Sequence, residues 1–217
     1  MATVEDKPEQ AAVAEREPAK RKREHTRARI LEVATDEFAQ KGLAGARVDE
    51  IARKAKANKQ LVYYYFGGKL GLYNEVLGHM IEESRQRLAA EASAATLAEK
   101  FRMMVDRGVE SSGVRWQRLL GWEALEADTG TEFVREADRA GRWRRHTENV
   151  KAAQAAGEID EGLDPELVAL ALVSVTVFPF VLPQVAKFMT GSLPADPEFI
   201  GRYEAFVEQL VGKLAPP

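Results

Sequence analysis

The chain has 217 residues, 45% of them hydrophobic and 30% charged, with a formal net charge of −3. That length and mixture suit one or two globular domains with ample core. It contains no cysteine, which excludes disulfides, thiolate catalysis and cysteine-ligated metals and fits a reducing cytoplasm.

The net charge hides an asymmetry. Residues 1–18 hold two basic and five acidic side chains, residues 19–69 thirteen and six, and residues 70–217 sixteen and twenty-three. A basic segment ahead of an acidic body marks one end for a polyanion. Lysines and arginines that merely solvate helix faces are the plainer alternative.

Residues 1–19 are rich in Ala, Glu and Pro, lack apolar periodicity and read as a disordered tail. Glu5, Asp6, Glu9, Glu15 and Glu17 leave no apolar stretch there, so no secretory signal is expected. Four cations follow, Lys20-Arg21-Lys22-Arg23. Thr26 is placed to cap a first helix running to about Lys41 and stopped by Gly42, with Ile30, Ala34 and Phe38 on its apolar face and Leu31 alongside. A second helix buries Val48, Ile51, Ala52 and Ala55. A short third helix turns Leu61 or Val62 and Phe66 inward and carries Tyr63, Tyr64 and Tyr65 before a Gly67-Gly68 break. A fourth opens at Lys69; the spacing of Leu72, Tyr73, Val76, Leu77, Met80, Ile81, Ser84 and Leu88 extends it for about twenty residues.

The remainder also reads helical. Leu97, Phe101, Met104 and Val105 form one stripe, residues 114–127 carry Trp116, Leu119, Leu120, Trp122 and Leu125, and the charged segment 133–156 holds Trp143 and ends at Gly157. Asp164-Pro165 opens a helix as N-cap and first helical residue. The most apolar stretch, 167–182, is shorter than the roughly 20 residues that cross a bilayer, and Ser174, Thr176 and Pro179 interrupt it. It reads as a buried core or subunit-interface helix rather than a membrane span, kinked or ended at Pro179 and Pro183. Residues 199–214 form a last amphipathic helix. No alternating strand pattern is present, so the expected class is all-α.

The arrangement over residues 47–72, a helix, a tight turn, a short tyrosine-bearing helix and a Gly-Gly break, is that of a helix-turn-helix whose second helix enters the DNA major groove. Asn58 is placed to cap this recognition helix, which presents Lys59, Gln60 and Tyr63 outward. Lysine donates to guanine and glutamine pairs with adenine, so Lys59 and Gln60 are the expected base readers, with Tyr63 adding apolar contact and a hydroxyl. Adjacent helical residues point about 100° apart, so Tyr63, Tyr64 and Tyr65 cannot all face one core. Tyr64 is expected to pack along the backbone and bond a phosphate; Tyr65 is either half-buried support or a DNA contact. Lys69 and Arg47, at helix N-termini, are expected phosphate contacts. Lys20 to Arg23, with Arg27, either follow the DNA backbone or minor groove or form a solvated basic run.

Catalysis has little support. His25, His79 and His146 are scattered without metal-ligand spacing, and no Gly-rich phosphate loop follows a strand. Glu82-Glu83 and the Glu158, Asp160, Glu161 cluster suit solvated helix ends. No enzyme, metal or cofactor is expected.

Residues 26–73 resemble the DNA-binding domain of the TetR family of bacterial transcriptional regulators. The resemblance is carried by Ile30, Ala34, Phe38 and Gly42, by Val48, Ile51, Ala52 and Ala55, and by Tyr63, Phe66, Lys69 and Leu72 at the spacing Tyr-x-x-Phe-x-x-Lys-x-x-Leu. The chain departs from the family in having Lys56 where the turn usually has glycine, no threonine cap near Arg47, and Gly68 where a polar cap often precedes the lysine. The resemblance implies a three-helix DNA-binding domain over 20–68, after the tail 1–19, and a helical effector-binding and dimerisation domain over 69–217. It implies a homodimer built from the helices of 165–179 and 199–214, a double-stranded palindromic operator, a cytoplasmic location, repression by family habit, and release from DNA by a small effector. Phe101, Met104, Trp116, Trp122, Phe133, Trp143, Phe178 and Phe180 are the candidate lining of an effector pocket, although large apolar residues at helical spacing equally make a core. An apolar lining would suit a hydrophobic or aromatic effector. Two other readings stand beside this one: a DNA-binding regulator without a small ligand, and a helical protein-interaction module.

Overall fold

The structure is a computed structural model that describes residues 7–91, 96–127, 133 and 135–216. The described residues form ten helices and no strand: α1 (Lys7–Gly45), α2 (Val48–Lys54), α3 (Lys59–Phe66), α4 (Lys69–Glu91), α5 (Leu97–Val109), α6 (Ser111–Glu126), α7 (Glu136–Ala155), α8 (Pro165–Val181), α9 (Pro183–Thr190) and α10 (Pro197–Gly212). The chain divides into two compact units, Met1–Val76 and Leu77–Pro217.

In the first unit the helical periodicity works as expected. Ile30, Ala34 and Phe38 of α1, Ile51 and Ala55 near α2, and Val62 and Phe66 of α3 are buried together with Leu72, Tyr73 and Val76 of α4. The Tyr73 ring meets the Phe38 ring edge-on at 5.1 Å. This is why the unit extends beyond the expected boundary at Gly68: the first turns of α4 complete its core. Gly67, in the left-handed conformation at φ 71°, ends α3, a position where glycine avoids the Cβ clash. Gly71 allows α4 to start close by, since a Cβ there would stand 1.8 Å from the Phe66 carbonyl oxygen.

Two expectations are corrected. Residues 7–19, read as a disordered tail, continue α1 as helix, their Ala and Glu residues being good helix formers although Pro18 lies within the run. Residues 1–6 and the side chain of Lys20 lie outside the description. Thr26 is therefore mid-helix, and its hydroxyl donates to the Lys22 carbonyl at 2.9 Å instead of capping. Gly42 breaks the helical backbone, at φ 67° and ψ −179°.

The second unit has its own core. Leu97, Phe101 and Val105 of α5 pack with Val150 and Ala153 of α7, Ala169 and Leu172 of α8, and Val207 and Val211 of α10. Thr96 and Glu99 form a reciprocal capping box on α5. Asp164 caps α8 by accepting from Glu166 and Leu167, with Pro165 at the first helical position. Pro179 lies inside α8, which continues to Val181; Pro183 then opens α9, a helix not expected from the sequence, and the two axes bend by 92°. Among the described residues no single helix is long and apolar enough to cross a membrane.

Candidate nucleic-acid interface and helical cavity

The α2–turn–α3 segment is built from local chemistry. Asn58 caps α3: its Oδ1 accepts from the Gln60 backbone N–H at 2.9 Å. Lys56 adopts φ 48°, the left-handed conformation that glycine would take without strain. Arg29 holds this turn from α1. Its Nε donates to the Ala55 carbonyl at 2.5 Å and its Nη2 to the Lys56 carbonyl at 3.2 Å. Sequence periodicity missed Arg29 because its partners lie on a different helix end.

With Val62 and Phe66 turned into the core, α3 exposes Lys59, Gln60, Tyr63 and Tyr64, and leaves Tyr65 half-buried. Tyr63 is 51% exposed and Tyr64 74%. Lys59 pairs with Asp49 of α2 at 2.7 Å, a hydrogen bond that raises its pKa. Arg47 is the exposed N-cap residue of α2 and makes no side-chain cap bond. Lys69 donates to the Ala44 carbonyl at 2.9 Å, tying the start of α4 to the end of α1. Arg27 is engaged by Glu75 and stands over the Phe66 ring, 5.1 Å from its centroid. Arg23 lines a groove of about 480 Å³ with Lys22, Thr26, Leu61, Tyr64 and Tyr65. This places basic and aromatic side chains side by side, the chemistry of a surface that follows phosphates.

In the helical body the eight candidate pocket residues separate. Met104, Trp116 and Trp143 line one cavity of about 90 Å³. Phe101 is in the core, with its ring 5.8 Å from that of His146. Phe180 packs against the core, its ring close over Gly108. Trp122 is half-buried outside the cavity lining, while Phe133 and Phe178 are exposed.

The cavity is more polar than the sequence indicated, with Arg107, Gln117, Arg142 and His146 among its lining. Burial, then the neighbouring Arg107 and Arg139, bring the Arg142 guanidinium down to about 10, still charged at neutral pH. Burial and the charges of Arg142, Arg107 and Arg145 bring His146 down to about 4, so it is neutral at pH 7. The overlooked signal was the spacing of Arg139, Arg142, Trp143, His146, Val150 and Ala153, which is one face of α7.

A compact helical head with a capped, tyrosine-bearing second helix and an outward basic surface is a helix-turn-helix DNA-binding domain, here joined to a helical body with its own cavity. The chain matches the sequence profile of the bacterial regulatory proteins of the tetR family over residues 30–76 and that of the tetracyclin repressor-like C-terminal domain over residues 111–210. It is 34% identical over 175 residues to the HTH-type transcriptional repressor SCO4008 of Streptomyces coelicolor, covering 80% of this chain and 88% of that one. Among solved structures, the transcriptional regulator SCO4942 of the same organism superposes with a TM-score of 0.67 at 26% identity, over 88% of this chain and 98% of the other. The regulator FadR of Bacillus subtilis, solved with stearoyl-CoA, shares the fold with a TM-score of 0.61 at 18% identity, over 87% and 99% of the two chains. The chain belongs to the TetR family and is a DNA-binding transcriptional regulator.

Proposed function

We propose that this chain is a cytoplasmic, homodimeric repressor that binds a palindromic operator and leaves it when a small molecule occupies the cavity of its helical body. The observation that carries the DNA assignment is the α3 surface, where Asn58 fixes the helix start and leaves Lys59, Gln60 and Tyr63 facing solvent. Lys59 and Gln60 read base edges, Tyr63 adds apolar contact and a hydroxyl, and Arg47, Tyr64, Lys69, Arg23 and Arg27 meet phosphates.

One short helix reads few base pairs, so two heads are needed on half-sites about one turn apart. A second copy is favoured by exposed apolar side chains on the terminal helices: Leu167, Leu170 and Phe178 on α8, Phe188 and Met189 on α9, and Phe206 on α10. Association through them follows ordinary apolar burial.

Coupling to an effector has a physical route. α4 gives Leu72, Tyr73 and Val76 to the core of the head, and Met80, Glu83 and Ser84 to the cavity. A ligand with unequal affinity for two positions of α4 shifts their populations and therefore DNA affinity. The test is selection of bound DNA from a random pool by the full chain at stated salt. A palindrome with two half-sites is expected; a pool without enrichment overturns the operator assignment. Loss of the selected complex on adding a compound that also raises the melting temperature of the free protein supports release by an effector.

A further inference from the structure

Buried donors without acceptors mark a place where the protein awaits a partner, because desolvated polar groups are otherwise hydrogen-bonded. Among the described residues three such donor atoms are Trp116 Nε1, Arg142 Nε and Arg142 Nη1. All three belong to two side chains that line the same cavity. The guanidinium carbon of Arg142 lies 4.3 Å from the Trp116 ring centroid and 5.3 Å from that of Trp143.

Arg139 supplies the contrast. It stands one turn earlier on α7, is buried where Arg142 is half-buried, and is met by both carboxylate oxygens of Glu123. Among the described residues Arg142 has no such carboxylate. Glu83 lines the cavity too, but among the described residues it forms no ion pair with Arg142. An indole N–H and a guanidinium only donate, so their complement is a group that only accepts.

We infer that this cavity takes a small organic anion, a carboxylate on a flat apolar body, with the carboxylate on Arg142 and Trp116 and the body against the two indole rings. The inference rests on the reading of the helical body as effector-binding and narrows the effector from hydrophobic or aromatic to anionic. A carboxylate satisfies a guanidinium through two parallel hydrogen bonds, and the bond is strongest where water is excluded. The cavity, at about 90 Å³, suits one ring or a short chain. Met80 and Met104 in its wall are unbranched and adjust to a ligand's outline. Arg107 and Arg142 disfavour a cation of the same shape, and His146, neutral at pH 7, adds no competing charge.

The test uses the full chain and matched ligands of equal shape: benzoate, benzamide and benzamidine, with the corresponding 2-naphthyl set. Isothermal titration and thermal melting should show a carboxylate binding and raising the melting temperature, the amide at least about tenfold weaker, and the amidine without effect. Arg142→Met should weaken the carboxylate at least about tenfold while helicity and the DNA mobility shift are retained. Trp116→Phe removes the indole donor and part of the ring surface while keeping an aromatic face, and should give a smaller loss than Arg142→Met. Should Arg142→Met not fold, Arg142→Lys keeps the charge without the fork and should still weaken the carboxylate. No binding by any carboxylate of the panel, equal binding by amide or amidine, or unchanged carboxylate affinity in the Arg142 variant that folds would each overturn the inference. Carboxylates that bind through Arg142 without releasing DNA uphold it and defeat the effector-release reading. Release of DNA by a neutral ligand alone does the reverse.

Discussion

Arg29 donates to the carbonyl of Lys56 at 3.2 Å, across the turn in which Lys56 holds φ 48°. A positively charged side chain of α1 thus holds a residue whose conformation costs about 1–2 kcal/mol. Arg29→Met should lower the stability of the head by about 1–3 kcal/mol through the unmet Ala55 and Lys56 carbonyls. Lys56→Gly should raise it by about 0.5–1 kcal/mol, after allowing for glycine's greater unfolded freedom. Chemical denaturation of both variants checks this; a Lys56→Gly variant less stable than the parent would contradict the strain.

Tyr63 and Asp49 should move operator affinity in opposite directions. Tyr63→Ala should weaken the selected operator about 10- to 100-fold, as loss of a base contact worth about 1–3 kcal/mol does, with circular dichroism unchanged. Asp49→Asn removes an exposed carboxylate paired to Lys59, freeing the ammonium and relieving repulsion from phosphate. Its complex should tighten, and fluorescence anisotropy at fixed salt reads both.

Lys69 has two roles to separate. Lys69→Met loses the bond to the Ala44 carbonyl, costing about 1 kcal/mol of head stability. Below its melting range it should also bind every DNA sequence less well and lower the slope of log affinity against log salt by about one. A loss confined to the specific operator would show that Lys69 reads sequence.

Leu170 is 63% exposed on α8. Leu170→Glu should shift the protein to monomer in sedimentation and weaken operator binding with it, since each half-site then binds alone. A dimer of unchanged strength would move the interface off this face.

Two groups give opposite pH dependences of stability. A hydrogen bond with Asp106, then burial, pushes the Glu204 carboxyl up to about 7 from 4.5. The folded state therefore keeps a proton that the unfolded chain gives up, and the stability it adds is present below 4.5 and lost as pH rises through about 7. His146 is depressed to about 4 from 6.5. Its contribution is present above 6.5 and lost as pH falls through about 4. Melting curves should show Glu204→Gln flattening the decline as pH rises from about 4.5 to 7, and His146→Gln flattening that as pH falls from about 6.5 to 4. If Glu204→Gln leaves the change between about pH 4.5 and 7 unaltered, the Asp106 contact is not the source of that dependence.

The sequence by itself determined the helical class, the three-helix head and the outward face of α3. Ile30, Ala34, Phe38, Val62 and Phe66 sit at helical spacing, and apolar burial acts on that spacing whatever surrounds it. Asn58 as a cap was legible too, because its partner is two residues away. Only the tertiary structure decided that α1 begins at Lys7, that the head's core ends at Val76, that Arg29 reaches Ala55 across 26 residues, and that a further helix, α9, opens at Pro183 with its axis bent 92° from α8. It also decided that Arg142 occupies a half-buried position among tryptophans, with two of its guanidinium nitrogens shut from solvent. Periodicity reads apolar residues and counts an arginine as solvent-facing, whereas the environment of a buried charge is set by side chains distant in sequence, which come together only when the helices pack.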